Sequence, residues 1–198
     1  MRRLLSLLLI VASTAVVSHA QTDADRAHAL EYLEKTRQGV LDATKGLSPA
    51  QWNFKSAPDR WSVAEVTEHI AAAEDFLYGK AEADMKSPAR PAGDDAKAID
   101  DFVLANVPDR THRAQAPEPL KPTNRFGSPE GSLKHFEESR AKTEAFIKDG
   151  KGLRDHAAKG PMDKNFDPYQ WVLFLTAHSE RHTKQILEVK ADPNFPKS

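Results

Sequence analysis

The chain contains no cysteine, and this absence excludes several kinds of chemistry. No disulfide can stabilise the fold, no thiolate can bind a metal or act as a nucleophile, and no lipid can be attached at a cysteine. Stability must therefore come from packing. Catalysis, if there is any, must use histidines, carboxylates, hydroxyls or a metal ion.

An excess of charge of one sign is also missing. The 28 Lys and Arg residues are balanced by 29 Asp and Glu, a formal net charge of −1 at pH 7. Such a balance gives no excess of positive charge that would attract nucleic acid or an anionic membrane surface. We therefore expect no nucleic-acid partner, and a small molecule as the substrate or ligand.

The chain has one long apolar run, at its beginning. Arg2 and Arg3 precede an apolar stretch over residues 4–17, and Ser18-His19-Ala20 supplies small residues at the two sites that a signal peptidase reads. The run is too short and wrongly flanked for a stable membrane span. An N-terminal core helix is disfavoured, because the run is apolar on all sides. The pattern predicts a Sec-type signal peptide over residues 1–20, a domain over residues 21–198, and a periplasmic or secreted location.

No convincing β run appears, whereas helix signals recur in the remainder of the chain. Four helices of about 20 residues are typical of a four-helix bundle, in which metal and ligand sites lie between facing helices. Capping residues, prolines and glycines set the expected bounds. The first predicted helix starts at a cap on Asp23 or Asp25 and ends near Lys45, and the second runs from Ser62 to about Lys86. The third runs from Ser128 to about Asp149, and the fourth from a cap at Asp167 to about Lys190.

The connection between the second and third helices is long and holds seven prolines over residues 87–130. We expect one short helix within it, over residues 94–105, and irregular loops over residues 47–60 and 150–166. Long connections in compact domains are usually functional or mobile. This connection either covers a cavity or packs on the surface, and the sequence leaves both alternatives open.

Three histidines fall within apolar helical stripes. His178 and His182 lie one turn apart on the last helix, with Cβ atoms about 5–6 Å from each other, and His69 lies between Val66 and Ala73 on the second helix. A single histidine in such a stripe is usually a core residue. Three would repel one another if protonated, and each would lack a partner if neutral. One divalent cation satisfies all three, so the pattern predicts metal ligands at His69, His178 and His182.

The residues beside the histidine pair offer few candidates for further catalytic roles. Ser179 stands where a zincin motif needs Glu, so that motif is absent. Glu180 lies about 200° around the helix from His178, and we expect it in solvent or paired with Lys184. Arg181 either flanks the cavity or faces solvent. The catalytic residues stay unknown, with His156 the one guess at a group near the cavity mouth.

Two segments resemble a known family. Trp61-Ser62 with Glu65 and His69 on one helix, and His178-Ser179-Glu180-Arg181-His182 on the last, are similar to the DinB-like superfamily, also called the YfiT-like metal-dependent hydrolases. Two further segments resemble one subgroup more closely, namely residues 116–120 with Pro122-Thr123, and Tyr169-Gln170-Trp171. The resemblance implies an all-α, up-down-down-up four-helix bundle. It also implies a divalent ion, often zinc or nickel, on His69, His178 and His182.

The resemblance says less about the reaction. Characterised relatives are similar to thiol-dependent S-transferases and a thiol-dependent isomerase, and others are known only as stress- or damage-inducible proteins. One hypothesis is a metalloenzyme that activates water or a thiol against a small electrophilic or hydrolysable substrate. The alternative is a non-catalytic, metal-stabilised binding or stress-response module. A homodimer formed through helix faces is a further possibility.

Overall fold

The computed structural model describes residues 22–112 and 114–197. The predicted signal peptide lies outside the described residues and stays a prediction. The described chain is all-α apart from two short strands. Its elements are, in order, α1 Asp23–Thr44, α2 Pro49–Asn53, α3 Val63–Asp84, α4 Ala96–Asn106, a 3-10 turn Glu118–Leu120, α5 Pro129–Asp149, β1 Ala158–Lys159, a second 3-10 turn Pro161–Asp163, β2 Asn165–Phe166 and α6 Pro168–Lys190.

Side-chain caps fix where the long helices begin. Ser62 and Glu65 form a capping box at the start of α3, and Asp167 and Gln170 form one at the start of α6. Each box pairs backbone N–H groups that have no partner within the first turn. The predicted starts of these two helices are therefore confirmed. For α1 the predicted cap is wrong, because the hydroxyl of Thr22 accepts the first-turn N–H.

Two differences from the expected elements have local causes. The expected loop over residues 47–60 contains α2, whose capping box joins Ser48 and Gln51 around Pro49. In the expected loop over residues 150–166, β1 and β2 pair antiparallel, with Ala158 opposite Phe166. Strands of two residues leave no period in the sequence, so no alternation could reveal them.

Contacts between the long helices establish their directions. In α1 and α6, Asp25 accepts a hydrogen bond from Tyr169 near the start of both helices, and Ala43 accepts one from Lys190 near the end of both. These two helices are therefore parallel. In α3 and α5, Asp75 lies beside Ser139 and Tyr78 lies against Phe146, so these two are also parallel.

The remaining neighbours run in opposite directions. Arg37 of α1 pairs with Glu137 of α5, while Arg26, earlier in α1, reaches the carbonyl of Ile147, later in α5. On the other side of the bundle, Trp171 at the start of α6 donates to Asp84 at the end of α3. The order is up-down-down-up, as predicted. The topology places the middle of α3 against the middle of α6.

The core lies along the inner faces of these four helices. Leu33, Ile70, Phe136 and Leu175 come from the four long helices in turn, and none is more than 1% exposed. Burying a side chain of this size contributes about 1.5–3 kcal/mol. The helical spacing of apolar residues in α3 predicts that Phe76 is buried, but Phe76 is 41% exposed, so this prediction is wrong. None of the helices in the described ranges is both long and apolar enough to cross a membrane.

Candidate metal centre

The three histidines predicted as ligands lie together between α3 and α6. The Nε2 atom of His69 is 3.2 Å from Nε2 of His178 and 3.2 Å from Nε2 of His182. One ligand atom from each ring lies within 4.8 Å of the others. His178 and His182 are one turn apart with ring centroids separated by 4.3 Å, and His69 approaches them from the antiparallel helix. The cluster suggests a site for a divalent metal ion.

Two of the rings are held by hydrogen bonds on the side away from the cluster. The Nδ1 of His69 lies 2.8 Å from the carbonyl oxygen of Leu120, and the Nδ1 of His182 lies 2.8 Å from Oε1 of Gln185. A carbonyl oxygen only accepts, so each Nδ1 carries the proton. In a neutral ring the Nε2 atom then presents a lone pair. The lone pairs of His69 and His182 therefore face each other.

Two lone pairs at this separation have no proton to share, and a cation between them resolves the conflict. Two nitrogens about 2.1 Å from a shared ion lie about 3.0 Å apart at a right angle and about 3.4 Å apart at the tetrahedral angle. The 3.2 Å separations of His69 from His178 and from His182 fall within this interval. The residues present thus fit a divalent metal ion.

Burial keeps the three rings in the form that binds metal. It is the largest cause that lowers the pKa of His69, and it lowers the pKa of His178 and His182 well below the usual 6.5. Neighbouring imidazoles add to the effect at His178 and His182. Lower pKa values mean that the rings are neutral at pH 7, and a neutral ring can donate its lone pair to a metal.

The carboxylate of Glu68, which the sequence did not single out, clamps the segment that carries Leu120. Its oxygens accept backbone N–H groups of Thr123, Asn124 and Arg125 at 2.7–3.0 Å. Burial alone would raise the pKa of Glu68, but these donors and the Arg125 guanidinium outweigh burial and lower it. Consecutive residues of α3, Glu68 and His69, thus hold one stretch of the long connection. Backbone acceptors leave no trace in a sequence pattern, and the family resemblance of residues 116–120 was the one signal that pointed to this stretch.

The other residues considered from the sequence lie outside the cluster. Glu180 pairs with Lys184 at 2.7 Å, as predicted, and also accepts from the hydroxyl of Tyr32. Arg181 donates to the carbonyl of His112 in the long connection. The guess about His156 is wrong. Its Nδ1 bonds the carbonyl of Ser87, beyond the end of α3, whereas the cluster lies near the start of that helix.

The cluster lines neither of two clefts on the described surface. A cleft of about 510 Å³ between α1, α4 and α6 is lined by Asp25, Asp100, Arg154 and Tyr169, among others. A second, of about 450 Å³, lies where α3 and α5 begin and is lined in part by Glu68. His69 is 2% exposed and His182 is 8% exposed, whereas His178 is partly exposed. Two of the three rings are therefore enclosed, and solvent reaches the cluster at His178.

Comparisons with known proteins agree with this architecture. The DinB superfamily matches residues 32–186. An uncharacterised protein of Bacillus subtilis (strain 168), YuaE, is 26% identical over 162 residues, which cover 81% of this chain and 96% of YuaE. YfiT from Bacillus subtilis, described as a probable metal-dependent hydrolase with an unusual four-helix bundle topology, superposes with a TM-score of 0.58. That superposition covers 86% of this chain and 88% of YfiT at 16% identity, a level that shows a shared fold.

The family match includes His69, His178 and His182, and it spans most of the bundle from within α1 to within α6. Together with the up-down-down-up order of the helices, it establishes the assignment. The chain belongs to the DinB superfamily.

Proposed function

We propose that this protein is an exported metalloenzyme that holds one divalent ion, zinc or nickel, on His69, His178 and His182. The observation that carries the proposal is the pair of facing lone pairs on Nε2 of His69 and His182. Each Nδ1 is already committed to an acceptor outside the cluster. A neutral, buried arrangement of this kind is costly without a cation.

The reaction that the site supports best is hydrolysis of a small substrate. Three histidines leave coordination positions open, and a divalent ion there acidifies a bound water or thiol, or polarises a carbonyl. YfiT, with the same fold, is described as a probable metal-dependent hydrolase. The chain itself has no thiol, and low-molecular-weight thiols are mainly cytosolic. Transfer of a thiol to a small electrophile is therefore the second reaction that we propose to test, after hydrolysis.

The protein's own groups supply orientation. Leu120 and Gln185 fix the tautomers of His69 and His182, and the ring of Trp61 packs 4.9 Å from that of His69. No general base is assigned to this site.

A second function, a metal-stabilised module without turnover, is favoured by one observation. His69 and His182 are almost fully buried and of the three rings His178 alone is partly exposed, while the two clefts are lined by residues outside the cluster. A structural ion is closed to substrate, whereas a catalytic ion keeps an open position. Chelation distinguishes the structural module from the enzyme. Removal of a structural ion lowers the melting temperature of a protein that has no activity, whereas removal of a catalytic ion also abolishes turnover.

The deciding experiment is elemental analysis of the purified protein beside three variants. We expect about one zinc or nickel ion per chain in the wild type, as for a three-histidine site, and none in His182→Ala. His28→Ala is the matched control, because His28 lies outside the cluster and stacks on Tyr32. Circular dichroism verifies folding, and His182→Gln keeps side-chain volume. Equal metal content in all four proteins overturns the site.

Activity then tests the reaction. The metal-loaded protein is assayed with simple esters and amides, and with thiols plus electrophiles. Hydrolysis that stops on chelation and returns with zinc or nickel supports the enzyme. Hydrolysis that survives complete removal of the metal contradicts the mechanism, and stabilisation by metal without any turnover favours the structural module.

A further inference from the structure

The segment over residues 107–112, which follows α4, lies along α6 beside His182. From α6, Arg181 donates to the carbonyl of His112 at 2.6 Å, and Lys184 donates to the carbonyl of Pro108 at 3.3 Å. From the segment, Arg110 donates two hydrogen bonds to the carboxylate of Glu188, at 2.7 and 2.6 Å. Bidentate contact of this kind fixes the plane of a guanidinium. Arg110 is therefore held in one orientation next to α6.

The third contact of Arg110 reaches toward the metal centre. Its Nη1 donates to Oε1 of Gln185 at 3.2 Å, and the same oxygen lies 2.8 Å from Nδ1 of His182. A guanidinium has donors and no acceptor, so the group of Gln185 that faces Arg110 must be the oxygen. This chemistry assigns the amide orientation, which the positions of heavy atoms alone leave open.

The orientation of this amide determines the tautomer of His182. With its oxygen toward the ring, Gln185 accepts a proton from Nδ1, and the Nε2 lone pair points at His69. With the amide turned over, its NH₂ group would donate to Nδ1, and the ring proton would sit on Nε2, inside the cluster. A proton there blocks a metal ion, because a ligating imidazole nitrogen must be deprotonated.

We propose that Arg110 is a positioning residue that acts through Gln185 to select the metal-binding tautomer of His182. The inference rests on the proposed metal site and adds a requirement to it. Groups that orient a ligating histidine typically change metal affinity by about 10- to 100-fold when they are removed. Arg110 is linked to the ring of His182 through two successive hydrogen bonds, by way of Gln185. It nevertheless determines which end of the Gln185 amide faces the ring.

A purely electrostatic role for Arg110 predicts the opposite sign. A guanidinium near a divalent cation repels it, so removal of that charge would tighten metal binding. Loss of the tautomer preference weakens binding instead. The direction of the change in affinity therefore distinguishes the two explanations.

The experiment measures zinc affinity in the whole protein and the tautomer of His182 in the metal-free protein at pH 7. In the wild type, long-range ¹⁵N–¹H correlation spectra should show the His182 proton on Nδ1. In Arg110→Met we expect both tautomers and a zinc affinity lower by about 10-fold or more. Lys184→Met is the matched control, since it removes a cation that holds the same segment without touching Gln185.

The same substitution made in a Gln185→Glu protein tests whether Arg110 acts through the amide of Gln185. In Gln185→Glu, both side-chain oxygens accept, so the ring meets an acceptor whichever way the group faces. Arg110→Met in that background should cause no loss of zinc affinity and should leave the proton on Nδ1. A loss as large as in the wild-type background contradicts the proposal.

Two further results overturn the proposal. One is a wild-type His182 protonated on Nε2 in the metal-free protein, and the other is tighter zinc binding by Arg110→Met. If the wild type binds no zinc, the proposed function fails, and the tautomer spectra of wild type and Arg110→Met still decide the role of Arg110. Thermal melts followed by circular dichroism verify that each variant is folded.

Discussion

The guanidinium of Arg140 donates to the carboxylate of Glu74 at 2.6 and 3.0 Å, and the two side chains are 0% and 1% exposed. Arg140 belongs to α5 and Glu74 to α3. The same guanidinium donates to the carbonyl of Leu33 in α1 and to the hydroxyl of Ser179 in α6. One side chain therefore joins all four long helices in the middle of the bundle.

We expect Arg140→Met to be strongly destabilising. It leaves the carboxylate of Glu74 buried without its cation, and breaking a buried pair in this way typically costs about 3–5 kcal/mol. Urea unfolding at pH 7 measures the loss. The double variant Arg140→Met with Glu74→Leu should recover most of it, because no unpaired charge then remains. A single variant as stable as the wild type would contradict the assigned role of the pair.

Loosening the clamp made by Glu68 should weaken the metal centre. In Glu68→Gln, the amide offers one accepting oxygen to the N–H groups of Thr123, Asn124 and Arg125. Hydrogen bonds to a charged group are then lost, each at about 1.5–3 kcal/mol. The carbonyl of Leu120 is then less firmly held against His69. We expect lower stability in urea and zinc affinity reduced by about 10-fold or more.

Glu82→Gln is the control for the clamp, because Glu82 is an exposed carboxylate on the same helix. It should change neither stability nor zinc affinity. A Glu68→Gln variant that loses stability but binds zinc as the wild type does would show that the clamp holds the segment without orienting His69.

Asp25 should make stability depend on acid pH. Burial alone would raise its pKa, but the backbone N–H of Thr22 and the guanidinium of Arg154 outweigh burial and lower the pKa below the usual 3.8. A carboxyl with a lowered folded-state pKa adds stability above its unfolded-state pKa, and loses this contribution as the pH falls through the folded-state value. We expect Asp25→Asn to be less stable than the wild type at pH 7, with the difference shrinking toward pH 3.

Urea unfolding across that pH interval measures the difference. Asp59→Asn, at an exposed position in a loop, serves as the control and should follow the wild-type curve. A gap between Asp25→Asn and wild type that stays constant with pH would assign the loss to the hydrogen bond that Asp25 accepts from the backbone N–H of Thr22.

Processing of the N terminus tests the predicted export. Expressed at full length in a Gram-negative host, the chain should appear in the periplasm with Gln21 as its first residue. Leu8→Arg interrupts the apolar run and should leave full-length protein in the cytoplasm. N-terminal sequencing and mass spectrometry of the fractions report both outcomes, and uncleaved wild-type protein in the cytoplasm would contradict the prediction.

The sequence by itself determined the local structure. Capping residues gave the starts of α3 and α6, the absence of β periodicity gave the all-α class, and the positions of His69, His178 and His182 in apolar stripes gave the candidate cluster. These features depend on residues within a few positions of one another, where the helical repeat turns spacing into geometry. The up-down-down-up order came from the family resemblance.

Only the tertiary structure decided which distant groups complete the centre. The carbonyl of Leu120 faces His69, Glu68 clamps the following residues, and Arg110 reaches Gln185 across the gap between the long connection and α6. Backbone acceptors look the same at every position in a sequence. The path of an irregular connection is determined by its packing on helices far away in the chain. These partners therefore cannot be predicted from sequence and are identified only from the folded structure.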